Sequence, residues 1–235
     1  MKKLKALFVI LAMFLMSGCL VSSLHPFFKQ KDKIFDPVMV GTWMDGDSCI
    51  WSIKQEKYTE YFFGPEKTDS SYQITYYEEA DKPGYFIGTL FRIKGVNYVD
   101  FYPDPSEDHS INDFIEAHQF PTHTLARVEF NSDSILIYWY GEEWLNDLFE
   151  QNRIRIKHET VQISPGYTSH LLTASTDELQ KFIKKYVNAP KTNDDIEKIF
   201  ASGNNDGQED YGVFLKLKPY AGNLPGSETV KVESN

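Results

Sequence analysis

The chain has 235 residues, of which 41% are hydrophobic and 15% aromatic, and it carries a formal charge of −10 at pH 7. That length is ample for one packed core, and no break in composition marks a second domain. The 34 acidic residues against 24 basic ones remove nucleic acid from the expected partners, because phosphate contacts need a basic face, and they set the surface against an anionic bilayer as well.

In chain order, the first segment has three parts. Lys2, Lys3 and Lys5 form a positive n-region, Ala6 to Met16 is an unbroken apolar run, and the small residues Ser17 and Gly18 precede Cys19. A helix over that run spans about 16 Å, whereas a bilayer core needs roughly 20 residues. A secretory signal therefore fits better than a permanent transmembrane helix. Met16-Ser17-Gly18-Cys19 resembles the lipobox of bacterial lipoproteins, with Met16 where that family most often has Leu. The other reading is an ordinary secretory signal in which Cys19 is incidental.

The resemblance implies cleavage between Gly18 and Cys19, a diacylglycerol thioether on Cys19 and an acylated amine. Two or more acyl chains anchor stably, whereas one binds only marginally. Cleavage removes three lysines and no acid, so the charge moves from −10 to −13. Membrane partnership then comes through the N-terminal lipid and not through a polybasic surface. Leu20 stands where an aspartate would retain enterobacterial lipoproteins in the inner membrane, and no acidic run follows Cys19. The resemblance thus implies an outer-membrane location facing the periplasm, or the outer leaflet of the cell membrane in a single-membrane host.

With Cys19 lipidated, Cys49 has no intramolecular partner and no disulfide scaffold is possible. Cys49 shares an apolar strand face with Trp51 and Ile53, a setting for a buried, inert thiol. Residues 19–36 read as a lipidated tether because Ser22, Ser23, Pro26 and a Lys/Gln/Asp mixture interrupt the apolar residues. Fully flexible, such a segment spans roughly 23 Å. His25-Pro26-Phe27-Phe28 departs from that polar character, and it is expected either to pack on the domain or to lie at the membrane interface.

Residues 37–218 read as a single β-rich domain with period-two alternation and turn residues every eight to twelve positions. Tyr72, Ile74 and Tyr76 alternate with Ser71, Gln73 and Thr75. Ile154 and Ile156 alternate with Arg153, Arg155 and Lys157, and Val213, Leu215 and Leu217 alternate with Lys216 and Lys218. Strands are expected near 48–54, 58–63, 70–78, 85–93, 96–102, 123–130, 134–140, 153–163, 168–173 and 211–218, with Lys94-Gly95 as a hairpin turn.

Two or three short peripheral helices accompany them. Trp144, Leu145, Leu148 and Phe149 mark one. Ser175 and Glu178 form a capping box for a second at 176–187, and a third is expected at 194–201. Residues 219–235 lack periodicity and are expected to form a mobile tail.

Val40-Gly41-Thr42-Trp43 resembles the Gly-x-Trp element of lipocalin-like proteins, and the order of many short strands, one amphipathic helix and a final strand agrees with that superfamily. The resemblance implies a mainly β fold, an antiparallel lipocalin-like barrel, in which Gly41 and Trp43 are structural and the barrel mouth binds ligand. A strongly bent open sheet is the alternative. The aromatic residues Tyr72, Tyr76, Phe91, Tyr98 and Phe101 serve either as core or as the lining of an apolar pocket, since barrels of about eight strands are filled or hold one small ligand.

No nucleophile elbow, phosphate loop, dinucleotide glycine motif or His-Glu-x-x-His helix is present, so no catalytic residue is assigned. A zinc site at His118 and His123 would need a third ligand such as Asp113 or Glu116, and turn or surface histidines are the commoner reading. The acidic stretch from Asp104 to Asp113 lacks regular calcium-loop spacing, and Asn204 to Gly207 reads as a turn. No metal or cofactor is expected. The sequence therefore points to a lipid-anchored envelope protein that binds a small apolar ligand or an envelope protein. The alternative is a structural or assembly subunit with a filled core.

Overall fold

The computed structural model describes residues 20–59, 66–79, 82–105, 120–164, 167–187 and 212–225. The signal segment, Cys19, the helix expected at 194–201 and the last ten residues lie outside the described residues, as do His118, most of the acidic 104–113 stretch and the turn at 204–207.

The strands are β1 (Ser22–Ser23), β2 (Gly41–Met44), β3 (Ile50–Thr59), β4 (Glu66–Glu79), β5 (Lys82–Ile93), β6 (Val96–Pro103), β7 (His123–Phe130), β8 (Ile135–Tyr140), β9 (His158–Ser164), β10 (Tyr167–Leu172) and β11 (Gly212–Pro219). The helices are α1 (Glu142–Glu150) and α2 (Thr176–Phe182). From β2 to β8 each strand pairs antiparallel with the next, and β11 pairs with both β8 and β2, which closes a ring of eight strands. The expected lipocalin-like antiparallel barrel is therefore the fold, and the open bent sheet is not. Closure leaves the barrel strands without a free edge to template aggregation. Lys94 and Gly95 make the β5–β6 turn with φ of 49° and 82°, the left-handed pair that a two-residue hairpin requires.

The alternation sorts side chains into two layers. Inside the barrel lie Trp43 of β2, Trp51 and Ile53 of β3, Tyr72 and Ile74 of β4, Leu90 of β5, Val99 and Phe101 of β6, Val128 of β7, Ile137 and Trp139 of β8 and Leu217 of β11. Met39, on the short 3-10 turn Pro37–Met39, joins this inner cluster just before β2 begins. The second layer is outside. Strand β8 is buried at every position from Ile135 to Tyr140, because its outward residues Leu136, Tyr138 and Tyr140 pack with Leu145 and Leu148 of α1 and Leu179 and Phe182 of α2.

Helix α2 begins where its capping box places it: the Ser175 hydroxyl accepts from the Glu178 amide at 3.4 Å, and Glu178 Oε2 accepts from the Ser175 amide at 3.0 Å. Its α-helical part ends at Phe182 and continues as a π turn over Ile183–Val187. The strands expected at 48–54 and 58–63 are one strand as far as Thr59, with an irregular register between Gln55 and Lys57. The strand expected at 153–163 starts only at His158. Residues 153–157 keep the alternation without a ladder: Ile154 and Ile156 pack on the outer cluster, and Arg153, Arg155 and Lys157 are exposed.

Residues 20–36 are not a tether. Leu20 bridges Gly141, and the Val21 amide bonds the Tyr140 carbonyl at 2.9 Å. Strand β1 then lies between β7 and β10, the Phe27 amide donates to Asp100 Oδ2 at 2.8 Å, and the Ile34 amide reaches the Leu90 carbonyl at 2.9 Å. Val21, Ser23 and Phe27 are fully buried. The apolar residues that interrupt the polar composition decide the matter, because burying them outweighs the entropy of a free chain. Similarly, the expected tail begins within the wall: Pro219 pairs with Trp43, and the Tyr220 amide bonds the Thr42 carbonyl at 2.9 Å.

Candidate functional site

The five aromatic residues considered as pocket lining do not share a cavity. Tyr72 and Phe101 point into the barrel together with the partly buried Tyr76, whereas Phe91 and Tyr98 point outward into the layer beneath the helices. The two sets have opposite parity along their strands, so no single pocket can take both. The inner set is close-packed. Trp139 lies 5.0 Å from Phe101 and 6.0 Å from Trp51, and Trp51 lies 4.6 Å from Tyr76, all between ring centroids. Gly88 faces the same space, and a Cβ added there would come within 2.6 Å of Ile74 Cδ1. Aromatic side chains of these strands thus meet one another inside the barrel. Trp43 is structural in the same sense: its indole N–H donates to the Met39 carbonyl at 3.0 Å and stands over Gly41, whose φ of 157° disfavours a side chain.

Several polar groups are buried in this framework. Asp45 accepts from the Cys49 amide at 2.9 Å and from the Trp51 indole at 3.0 Å, and so shapes the β2–β3 loop. Cys49 is free and buried. Burial pushes its thiol pKa up, against the opposing hydrogen bond with Tyr76, so thiolate chemistry is disfavoured there. Asp100 is almost wholly buried and accepts from the Phe27 amide and, at 2.7 Å, from His123 Nδ1. Burial raises its pKa despite the neighbouring imidazole. Asp100 of β6 therefore fastens both the N-terminal segment, through Phe27, and His123 of β7.

A histidine pair lies beside α1. The rings of His158 and His170 are 5.1 Å apart, and Phe149 stands 4.0 Å from the first and 5.0 Å from the second. His158 Nδ1 donates to the Ile156 carbonyl at 2.9 Å, and Glu142 Oε1 takes the His170 amide at 2.6 Å. Burial and then the His158 charge hold the His170 pKa below 6.5, with Glu142 opposing. The folded chain thus binds this proton less readily than the unfolded chain. The stabilising contribution is complete above pH 6.5 and is lost as the pH falls through the lower folded value. Amide protection factors along β10 should accordingly drop as the pH is lowered from 7 to about 5, and His170→Asn should flatten that dependence in hydrogen-exchange measurements. Among the described residues, no three His, Cys, Asp or Glu side chains are grouped as a metal site would need.

Among the described residues, an open cleft of ligand size lies outside the barrel. It has a volume of about 530 Å³ and runs between the extended 152–156 segment and α2, within the range of roughly 300–1,000 Å³ usual for small-molecule sites. Ile154, Ile156 and Phe182 supply its apolar surface. Arg153 and Arg155 lie on one side and Lys181 and Lys185 on the other, with Glu178 the acidic residue of the lining. Glu178 is engaged by the Ser175 hydroxyl and amide, which holds its pKa down. Its neighbour Asp177 pairs with Lys29.

None of these lining residues was singled out as a site from the sequence. The usable signal was the Arg-Ile-Arg-Ile alternation without a strand partner, together with two lysines four residues apart, which share a helix face. Comparison with protein-family models, curated proteins and solved structures found no match to this chain.

Proposed function

We propose that this chain is a lipid-anchored cell-envelope protein, held by acyl chains on Cys19, that acts as a binding module for a small molecule in the outer cleft. An outer-membrane, periplasm-facing position is part of the same reading. Three features support it: the lipobox-like Met16-Ser17-Gly18-Cys19, a closed β-barrel of a kind compatible with ligand binding, and a cleft of ligand size. The observation that carries the binding role is the cleft. The ligand is assigned there and not to the barrel mouth, because the aromatic side chains that would line an internal pocket pack against one another.

A second reading, an assembly subunit with a filled core, is favoured by the exposed Phe35, Val38 and Val40 just ahead of β2. Native mass spectrometry of the protein purified from its own host separates the two. A small molecule that copurifies and is displaced by substitutions in the cleft supports the binding module. A copurifying protein with an empty cleft supports the assembly subunit and overturns the first reading.

A further inference from the structure

We propose that the outer cleft is selective for small amphiphilic anions, with a carboxylate or phosphate head held between Arg155 and Lys181 and a short hydrocarbon tail laid on Ile154, Ile156 and Phe182. This deepens the binding-module reading and rests on it.

The first argument is charge. The chain as a whole carries −10, yet four of the side chains lining this cleft are cationic and one is acidic. That one, Glu178, directs its carboxylate to the cap of its own helix. A concave surface lined by one sign of charge focuses the field and raises the local concentration of the opposite ion. Even in so acidic a protein, a cleft with this lining would draw an anion.

The second argument is placement. Arg153 and Arg155 come from the extended segment, and Lys181 from α2 with Lys185 from the π turn that continues it, so an anion in the cleft is approached from two sides. Arginine presents a planar fork that matches carboxylate and phosphate, and lysine adds a point charge.

The third argument is the apolar lining, which a bare anion would leave unused. Ile154 and Phe182 show only edges to the cleft, being 6% and 5% exposed, so the half-buried Ile156 is the main apolar side chain open to it. Hydrocarbon placed there leaves water for an apolar wall while the head group stays at the cationic rim, which favours an amphiphile over inorganic phosphate. The volume fits a single small molecule.

Isothermal titration of the purified full-length protein with octyl phosphate below its micelle-forming concentration, beside octanol and inorganic phosphate, tests the assignment. Octyl phosphate should bind at least about tenfold more tightly than either, with an affinity that falls as salt rises. The double substitution Arg155→Glu with Lys181→Glu should weaken it about tenfold or more, and Arg155→Gln alone should weaken it less. Both positions are exposed, and the charge reversal disturbs only the surface attraction of Lys181 for Asp177 and Glu178, so thermal unfolding should shift only slightly, which separates loss of binding from loss of fold.

Octanol binding as tightly as octyl phosphate would overturn the anion preference and leave the binding module standing. Octyl phosphate binding that ignores the charge reversal would place it elsewhere and overturn the proposal. If none of the three probes binds, the proposal fails, and the binding-module reading fails with it only if native mass spectrometry also finds no small molecule in the cleft.

Discussion

Trp139→Ala should destabilise the protein by about 3–5 kcal/mol, the usual range for removing a buried large aromatic side chain. Trp139 sits on β8 inside the barrel, is 6% exposed, and contacts both Phe101 and Trp51. Its loss opens a gap among side chains that come from several strands, and a closed barrel cannot collapse onto such a gap without changing strand pairing. The lost apolar contacts are therefore compounded by the cavity left behind. Against a typical total stability of 5–15 kcal/mol, this is a large fraction. Urea unfolding monitored by near-ultraviolet circular dichroism measures it, and Trp139→Phe should recover about half of the loss. A cost below about 1 kcal/mol would mean that the interior has slack and would return the barrel mouth to consideration as a binding site.

Cys19→Ala should move the protein from the membrane fraction to the soluble fraction and abolish incorporation of labelled fatty acid. The expected effect is all-or-none, because the acidic surface offers the bilayer no electrostatic substitute for the acyl chains. A variant that stays membrane-bound would refute the lipid anchor. The structure adds a consequence that the sequence did not suggest. Leu20 is already bridged to Gly141, so on the anchored reading one peptide unit, about 3.8 Å of chain, lies between the lipid attachment point and the first packed residue. A free tether over the same segment would have given roughly 23 Å of reach. On the anchored reading the barrel rests against the headgroups. A flexible Gly/Ser insertion between Cys19 and Leu20 should lift it measurably in neutron reflectometry of a supported bilayer without changing its unfolding midpoint.

Much of the fold was legible because strand alternation is a local property. Tyr72, Ile74 and Tyr76 face one way whatever they pack against, Lys94-Gly95 turns a hairpin by its own backbone preferences, and Ser175 with Glu178 starts α2 from within three residues. The candidate site was less legible. Phe91 and Tyr98 read as members of one set with Tyr72 and Phe101, since composition does not record which side of a strand another segment will cover. Arg153, Ile154, Arg155 and Ile156 read as an ordinary strand because their alternation is the same whether or not a partner strand lies alongside. What makes them a cleft wall is α2, which follows about 20 residues later in the chain.

By itself, then, the sequence determined the mainly β character, the faces of the strands, the principal turn and helix signals, and the motif that suggests an address at Cys19, all of them properties of residues close together in the chain. Only the tertiary structure decided that the ring closes through β11, that aromatic side chains of several strands meet inside it, that residues 20–36 are stitched onto its wall, and that a cationic cleft lies outside it. Each of these depends on which distant segments meet, and that is settled by where apolar surface can leave water most completely and not by any local pattern.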